Sequence, residues 1–184
     1  MLEITIPATE LIDQNTLEFI SIKETKLQLE HSLLSISKWE SRHCKPFLGD
    51  GSIDARFTGE EYIDYIKDMT LTKNVDPMIY YNLSPANQIL INEYINAPMT
   101  ATTFSNTSPT GGSKQVMTAE LIYWEMIALG IPFECQKWHF NRLMTLIRVC
   151  SIKQSKPEKM SHKENIAQRR ALNAKRKAKH HSRG

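Results

Sequence analysis

Residues 152–184 hold 11 Lys/Arg against two Asp/Glu, a formal charge of +9, whereas residues 1–151 hold 12 Lys/Arg against 18 Asp/Glu, a formal charge of −6. A chain divided in this way does not fold as one uniform body. Within 164–179 (ENIAQRRALNAKRKAK) the residue types favour helix, but only Ile166, Leu172 and the alanines are apolar, too little surface to hold a helix firmly against a core. The sequence therefore predicts a globular domain over 1–152 and a basic helical tail over 153–184 that extends from it or orders on a partner.

The rest of the composition is that of a soluble globular protein. Apolar residues make up 41% and charged residues 23% of 184 residues, enough for one real core and an appendage. The start MLEITIPATEL carries acids and a proline, so no signal peptide is expected. No stretch approaches the roughly 18–20 apolar residues that span a bilayer, and the run Ile122–Leu129 is broken by Glu125. No membrane association is expected. Cys44, Cys135 and Cys150 are odd in number and widely spaced. That pattern suits free thiols in a reducing compartment better than a disulfide framework or a metal site.

Local patterns predict a mainly α fold of the α+β type. Residues 1–31 read as β-rich and 32–152 as helical. Leu2-Glu3-Ile4-Thr5-Ile6 alternates apolar and polar residues up to Pro7, and Leu17–Ile22 and Lys26–His31 alternate again. Asp13-Gln14-Asn15 marks a turn, so a small antiparallel hairpin or three-stranded unit is expected. Leu33, Leu34, Ile36 and Trp39 recur at helical spacing until Lys45-Pro46, and a turn follows at Leu48-Gly49-Asp50-Gly51-Ser52. Thr58 and Glu61 form a capping box ahead of the stripe Tyr62, Ile63, Tyr65, Ile66, Met69. Ser84-Pro85 opens a further helix lined by Ile89, Leu90, Tyr94 and Ile95, which Pro98 stops. Residues 100–114 read as a long loop. Helices over Thr118–Leu129, stopped by Gly130 and Pro132, and from about Glu134 to Ile152 complete the domain. In the tail, Ser161-His162-Lys163-Glu164 resembles a capping box.

The motifs that could carry chemistry are weak. Cys135 and His139 stand at i, i+4, where one helical face would hold a thiol and an imidazole. A metal site needs two more ligands and a thiolate nucleophile needs a group to orient the ring. Trp138 and Phe140 point to a packed helix instead. Glu60-Glu61 and Asp64-Asp68 suit a helix N-terminus and a solvated polar face better than acid/base work or cation binding. Gly111-Gly112-Ser113-Lys114 lacks the spacing of a phosphate loop. No catalytic residue, metal or cofactor is expected, and the protein is expected to act by binding. The tryptophans Trp39, Trp124 and Trp138 read as core residues, of which an exposed one would anchor an interface.

The strongest signal is Arg169, Arg170, Lys175, Arg176, Lys177, Lys179 and Arg183. Such a run serves to contact nucleic-acid phosphates, to bind an acidic protein surface or to solubilise an end. No aromatic residue interleaves it, which disfavours base stacking.

The strings LLSISKWE (33–40), KPFL (45–48), NAPMTATTF (96–104), IPFECQKWHFNRLMTLIRVC (131–150) and RRALNAKRKA (169–178), taken together and in this order, resemble the tail assembly chaperones of tailed bacteriophages, over nearly the whole chain. The resemblance implies a morphogenesis factor of siphophages in the bacterial host cytoplasm. Its partners would be the long helical tape-measure protein and other phage tail proteins, and it brings no catalytic motif. Coating one client with several copies implies a homo-oligomer, and the tail of one copy docking on the acidic body of the next would supply it. By side-chain type, and not by any family motif, Trp39, Met69, Trp124, Met126, Trp138 and Met144 are candidate client contacts. The other reading is a structural virion protein, such as a connector, head-completion or tail-associated subunit, whose basic tail contacts neighbouring subunits or DNA.

Overall fold

The computed structural model describes residues 1–12, 19–48, 57–104, 116–155 and 162–180. The chain divides into two compact units, Met1–Ile152 and Lys153–Gly184.

The first unit begins with four short strands: β1 (Leu2–Ile6), β2 (Thr9–Ile12), β3 (Phe19–Ile22) and β4 (Thr25–Leu29). They form two antiparallel ladders, β1 with β4 and β2 with β3, so the expected small antiparallel hairpin is present as β2–β3 and a second ladder pairs the outer strands. The register pairs Leu2 with Leu29 and Ile4 with Leu27. Alternation then sends Ile4, Ile6, Leu27 and Leu29 into the core. Strand β2 adds a strand between Pro7 and the expected turn, beyond the three alternating segments. The expected turn at Asp13-Gln14-Asn15 lies outside the described residues, as do Leu17 and Glu18. The outer edge of β4 is covered by the chain leaving the next-but-one element. Glu30 N–H donates to the Met69 carbonyl (2.9 Å) and Leu71 N–H to the Gln28 carbonyl (2.8 Å).

Helix α1 (Leu33–His43) starts at Ser32, whose hydroxyl accepts from Ser35 N–H while the Ser35 side chain accepts from Ser32 N–H. It ends at Cys44, which adopts a left-handed conformation (φ 50°). Leu33, Ile36 and Trp39 are fully buried. Helix α2 (Gly59–Met69) carries the expected capping box of Thr58 and Glu61 and buries Tyr65, Ile66 and Met69 against α1. A 3-10 segment, Pro77–Asn82, follows.

Helix α3 (Pro85–Asn96) has the expected Ser84 cap and Pro85 in its first turn. Its inward face differs from the expected one. Asn87, Ile91, Tyr94 and Ile95 are buried, while Ile89 and Leu90 are exposed. Polar anchors set this rotation: Asn87 Nδ2 donates to the Thr5 carbonyl (3.3 Å) and the Tyr94 hydroxyl donates to the Glu30 carboxylate (2.6 Å). Helix α4 (Ala119–Ala128), a 3-10 segment (Phe133–Lys137) and helix α5 (Phe140–Gln154) follow. The expected continuous helix from Glu134 to Ile152 is therefore broken. Trp138 is extended, and Ser32 and His139 form an antiparallel bridge in which Phe140 N–H donates to the His31 carbonyl (2.7 Å). Pairing with a distant segment outweighs local helix propensity there.

In the second unit, helix α6 spans His162–His180. The protein is mainly α, of the α+β type, as the sequence predicts. Among the described residues no helix is long and apolar enough to cross a membrane.

Candidate functional site

Helix α4, AELIYWEMIA, is apolar on nearly every side. A helix of that kind is ordinarily buried all round. Here Ala119, Ile122 and Met126 face the core, but Trp124 and Ile127 remain 65% and 62% exposed, with Phe133 exposed just beyond. Beside this face lies an open groove of about 820 Å³ between α4, α5 and the segment 98–104. Met117, Trp124, Leu129, Met144 and Phe104 give it an apolar lining, and Glu125, Asn141, Thr145 and Arg148 add polar groups. The Arg148 guanidinium stacks over the Phe104 ring, 4.0 Å from its centroid. Met99, on the same segment, adopts φ 48°, a left-handed conformation that costs a non-glycine residue roughly 1–2 kcal/mol.

Two devices hold α4 in place. At its N-terminus Thr118 makes no side-chain cap. The buried Glu40 of α1 substitutes for it, accepting from Ala119 N–H with one oxygen and from Phe47 N–H with the other, each at 2.7 Å. One carboxylate thus satisfies two buried donors from distant segments. At the C-terminus Gly130 (φ 67°) closes a Schellman motif, with Gly130 N–H donating to the Ile127 carbonyl and Ile131 N–H to the Met126 carbonyl. The expected stop at Gly130 is explained by that conformation.

Helix α5 is positioned through its first residues. Asn141 Nδ2 donates to the carbonyls of Ile95 (2.9 Å) and Ala97 (2.8 Å), closing the end of α3. His139 Nδ1 accepts from Asn141 N–H (3.3 Å), so Nε2 carries the proton and donates to the Tyr94 carbonyl (3.0 Å). The ring of His139 meets that of His31 edge to face, at 5.2 Å. His31 is buried and its Nδ1 hydrogen-bonds the Tyr65 hydroxyl. Burial, with His139 as neighbour, pushes the His31 pKa down to about 3, and burial also lowers that of His139. Both imidazoles are neutral structural members of the core.

The sequence-predicted chemistry is dispersed by this arrangement. Cys135 and His139 do not share a helical face, since Cys135 sits in a 3-10 turn and His139 in the bridge before α5. Burial raises the Cys135 thiol above its ordinary value, the opposite of an activated nucleophile. Glu61 caps α2 and pairs with Lys45. Asp68 departs from the expected solvated face. It is buried, with a carboxyl pushed up by desolvation, and Arg42 holds it at 2.8 Å. Asp64 pairs with Lys67 (3.0 Å). Among the described residues no group of three or more His, Cys, Asp or Glu could hold a metal ion. The Gly111-Gly112-Ser113-Lys114 string lies outside the described residues.

The candidate contact residues separate by burial. Trp39, Met69 and Met126 are core residues and present no surface to a partner, because α2 and α4 each pack against α1. Trp124 and Met144 line the groove, and Trp138 is half-buried under the Arg142 guanidinium. In α6, Arg169, Arg170, Lys175, Arg176 and Lys177 are exposed. Lys179 falls within α6, but its side chain and the whole of Arg183 lie outside the described residues. No local pattern marks Phe104, Arg148 or Glu40 as parts of this region, because each matters through a partner far away in the chain.

No protein-family model matches the chain, and neither curated proteins nor solved structures show significant similarity to it.

Proposed function

We propose that the protein is a non-catalytic tail assembly chaperone of a tailed bacteriophage, acting in the host cytoplasm, which holds the tape-measure protein by protein–protein contact in the groove between α4 and α5. The observation that carries this reading is the exposed Trp124–Ile127 face beside an apolar groove. A Met- and aromatic-lined groove suits the apolar stripe of an amphipathic helix, and flexible methionines tolerate many such stripes. The ordered resemblance of five strings to tail assembly chaperones supplies the identity of the client. Several copies bind along one client, which makes the working form an oligomer.

Co-expression with the tape-measure protein, followed by pull-down, tests the reading. Trp124→Ala removes an exposed aromatic anchor and is expected to weaken capture by about 30-fold, the effect of one interface hot spot of about 2 kcal/mol. Capture of the client by Trp124→Glu as strongly as by the parent chain would exclude the groove as the grip. The separate basic unit favours a second reading, a structural virion subunit. Mass spectrometry of purified virions separates the two: stoichiometric presence supports the subunit, and absence supports the chaperone.

A further inference from the structure

The basic helix α6 makes its own demand for a partner, independent of the groove and of the proposed function. From 165 to 184 the chain contains no Asp or Glu. Arg169, Arg170, Lys175 and Arg176 are exposed, and among the described residues no acidic side chain pairs with them. At about 100° per residue, Arg169, Arg170, Arg176 and Lys177 lie within an arc of about 120°, and Lys175 stands about 100° beyond it. Cations therefore flank the helix on more than one side.

Two polyanionic partners fit such a charge, an acidic protein surface and nucleic acid. The apolar residues decide between them. A helix that docks on a protein groove presents an apolar stripe at i, i+3, i+4, i+7. In α6 the two large exposed apolar side chains, Ile166 and Leu172, are six residues apart. That spacing puts them about 120° apart around the helix, with Ile166 inside the basic arc. These two form no stripe, and the alanines at 167, 171, 174 and 178, which do recur at helical spacing, offer only methyl groups to a protein groove. A duplex groove requires none. At about 1.5 Å per residue, the 19 residues of α6 span about 28 Å, and the major groove, about 12 Å wide, admits a helix between two phosphate walls. Without interleaved aromatics, base stacking on single strands is not available.

We propose that α6 is a sequence-independent binding element for duplex nucleic acid, and that Arg169, Arg170, Lys175 and Arg176 contact backbone phosphates.

The test uses the full chain and a fluorescently labelled duplex of about 20 base pairs with arbitrary sequence. Anisotropy is expected to give a Kd of about 1–100 µM near 0.15 M salt, insensitive to sequence. With four phosphates neutralised, doubling the salt should weaken binding about 12-fold. Replacing Arg169, Arg170 and Arg176 together by Ala should lower the log–log salt slope by about 3, whereas Lys at the same positions should preserve it. All three sites are exposed, and far-UV circular dichroism of the full chain checks that both variants fold. No binding up to about 100 µM at 0.15 M salt overturns the proposal, and so does an unchanged slope in the Ala variant. Displacement of the duplex by poly-glutamate at equal charge overturns it in favour of an acidic protein surface. So does salt-sensitive self-association, seen by sedimentation, that the Ala variant abolishes while duplex binding persists.

Discussion

Helices α4 and α6 break the usual rule for a surface helix in opposite directions. A helix at a protein surface has one apolar stripe and one polar face. Helix α4 is apolar nearly all round and has a core on one side only, so Trp124 and Ile127 are left over. Helix α6 is polar nearly all round, so Arg169, Arg170, Lys175 and Arg176 are left over. The two surpluses call for different partners: α4 for an apolar one, whose burial is worth about 25 cal/mol per Å², and α6 for an anionic one, whose hold weakens with salt. They also imply different internal support. Helix α4 is fastened by the distant Glu40 at its N-terminus and by a Schellman motif at its C-terminus, whereas the residue types of α6 favour helix by themselves.

The largest expected effect breaks that support. Glu40→Ala leaves the N–H groups of Phe47 and Ala119 without their buried acceptor. Each orphaned donor costs about 1–3 kcal/mol, so the first unit should lose about 3 kcal/mol in urea denaturation followed by tryptophan fluorescence. Glu40→Gln keeps one acceptor oxygen and should lose roughly half as much. A Glu40→Ala chain as stable as the parent would mean that α4 is not held through this carboxylate.

A smaller effect comes from protons. His31 is held neutral in the fold down to a pKa of about 3, against 6.5 when exposed. Below pH 6.5 the unfolded chain binds a proton that the folded chain does not, so stability falls as pH falls, over the window from 6.5 toward 3. Between pH 7 and 5.5, above the carboxylate range, His31 alone should remove about 1.3 kcal/mol. The lowered pKa of His139 adds a loss of the same sign. Urea midpoints at the two pH values measure it, and equal stability at both would contradict the neutral pair. Replacing His31 by Phe should flatten the response, leaving the part due to His139.

These two predictions concern the features that were hardest to see in the sequence, and for one reason. Glu40 acts on Ala119, 79 positions away, and His31 acts on Tyr65 and His139. No window of neighbouring residues contains those pairs. The same non-local pairing broke the expected helix at Trp138 and His139. The rotation of α3 depends on Thr5 and Glu30, which moved Ile89 and Leu90 outward. Features built from neighbours were legible: the Thr58–Glu61 box, the Ser84 cap, the stop at Gly130 and the basic helix itself. The groove was half legible. Its aromatics were visible as residue types, but Trp39, Trp124 and Trp138 all fall in segments that the sequence predicts as helical, and only packing assigns Trp124 to the surface.

The smallest expected effect sharpens the contrast from the other side. Leu172 is the largest aliphatic side chain in the basic stretch of α6 and is 47% exposed. A Leu→Ala change in a core costs about 2–5 kcal/mol, because a cavity adds to the lost transfer energy. Leu172→Ala opens no cavity, and alanine is the best helix former, so it regains part of what burial loses. The change should stay within about 0.5 kcal/mol in the same urea experiment. A loss of 2 kcal/mol or more would mean that Leu172 is covered in solution. The contrast would then fail, since α6 would share the dependence on tertiary contact that holds α4, and its cations would no longer be its main offer to a partner.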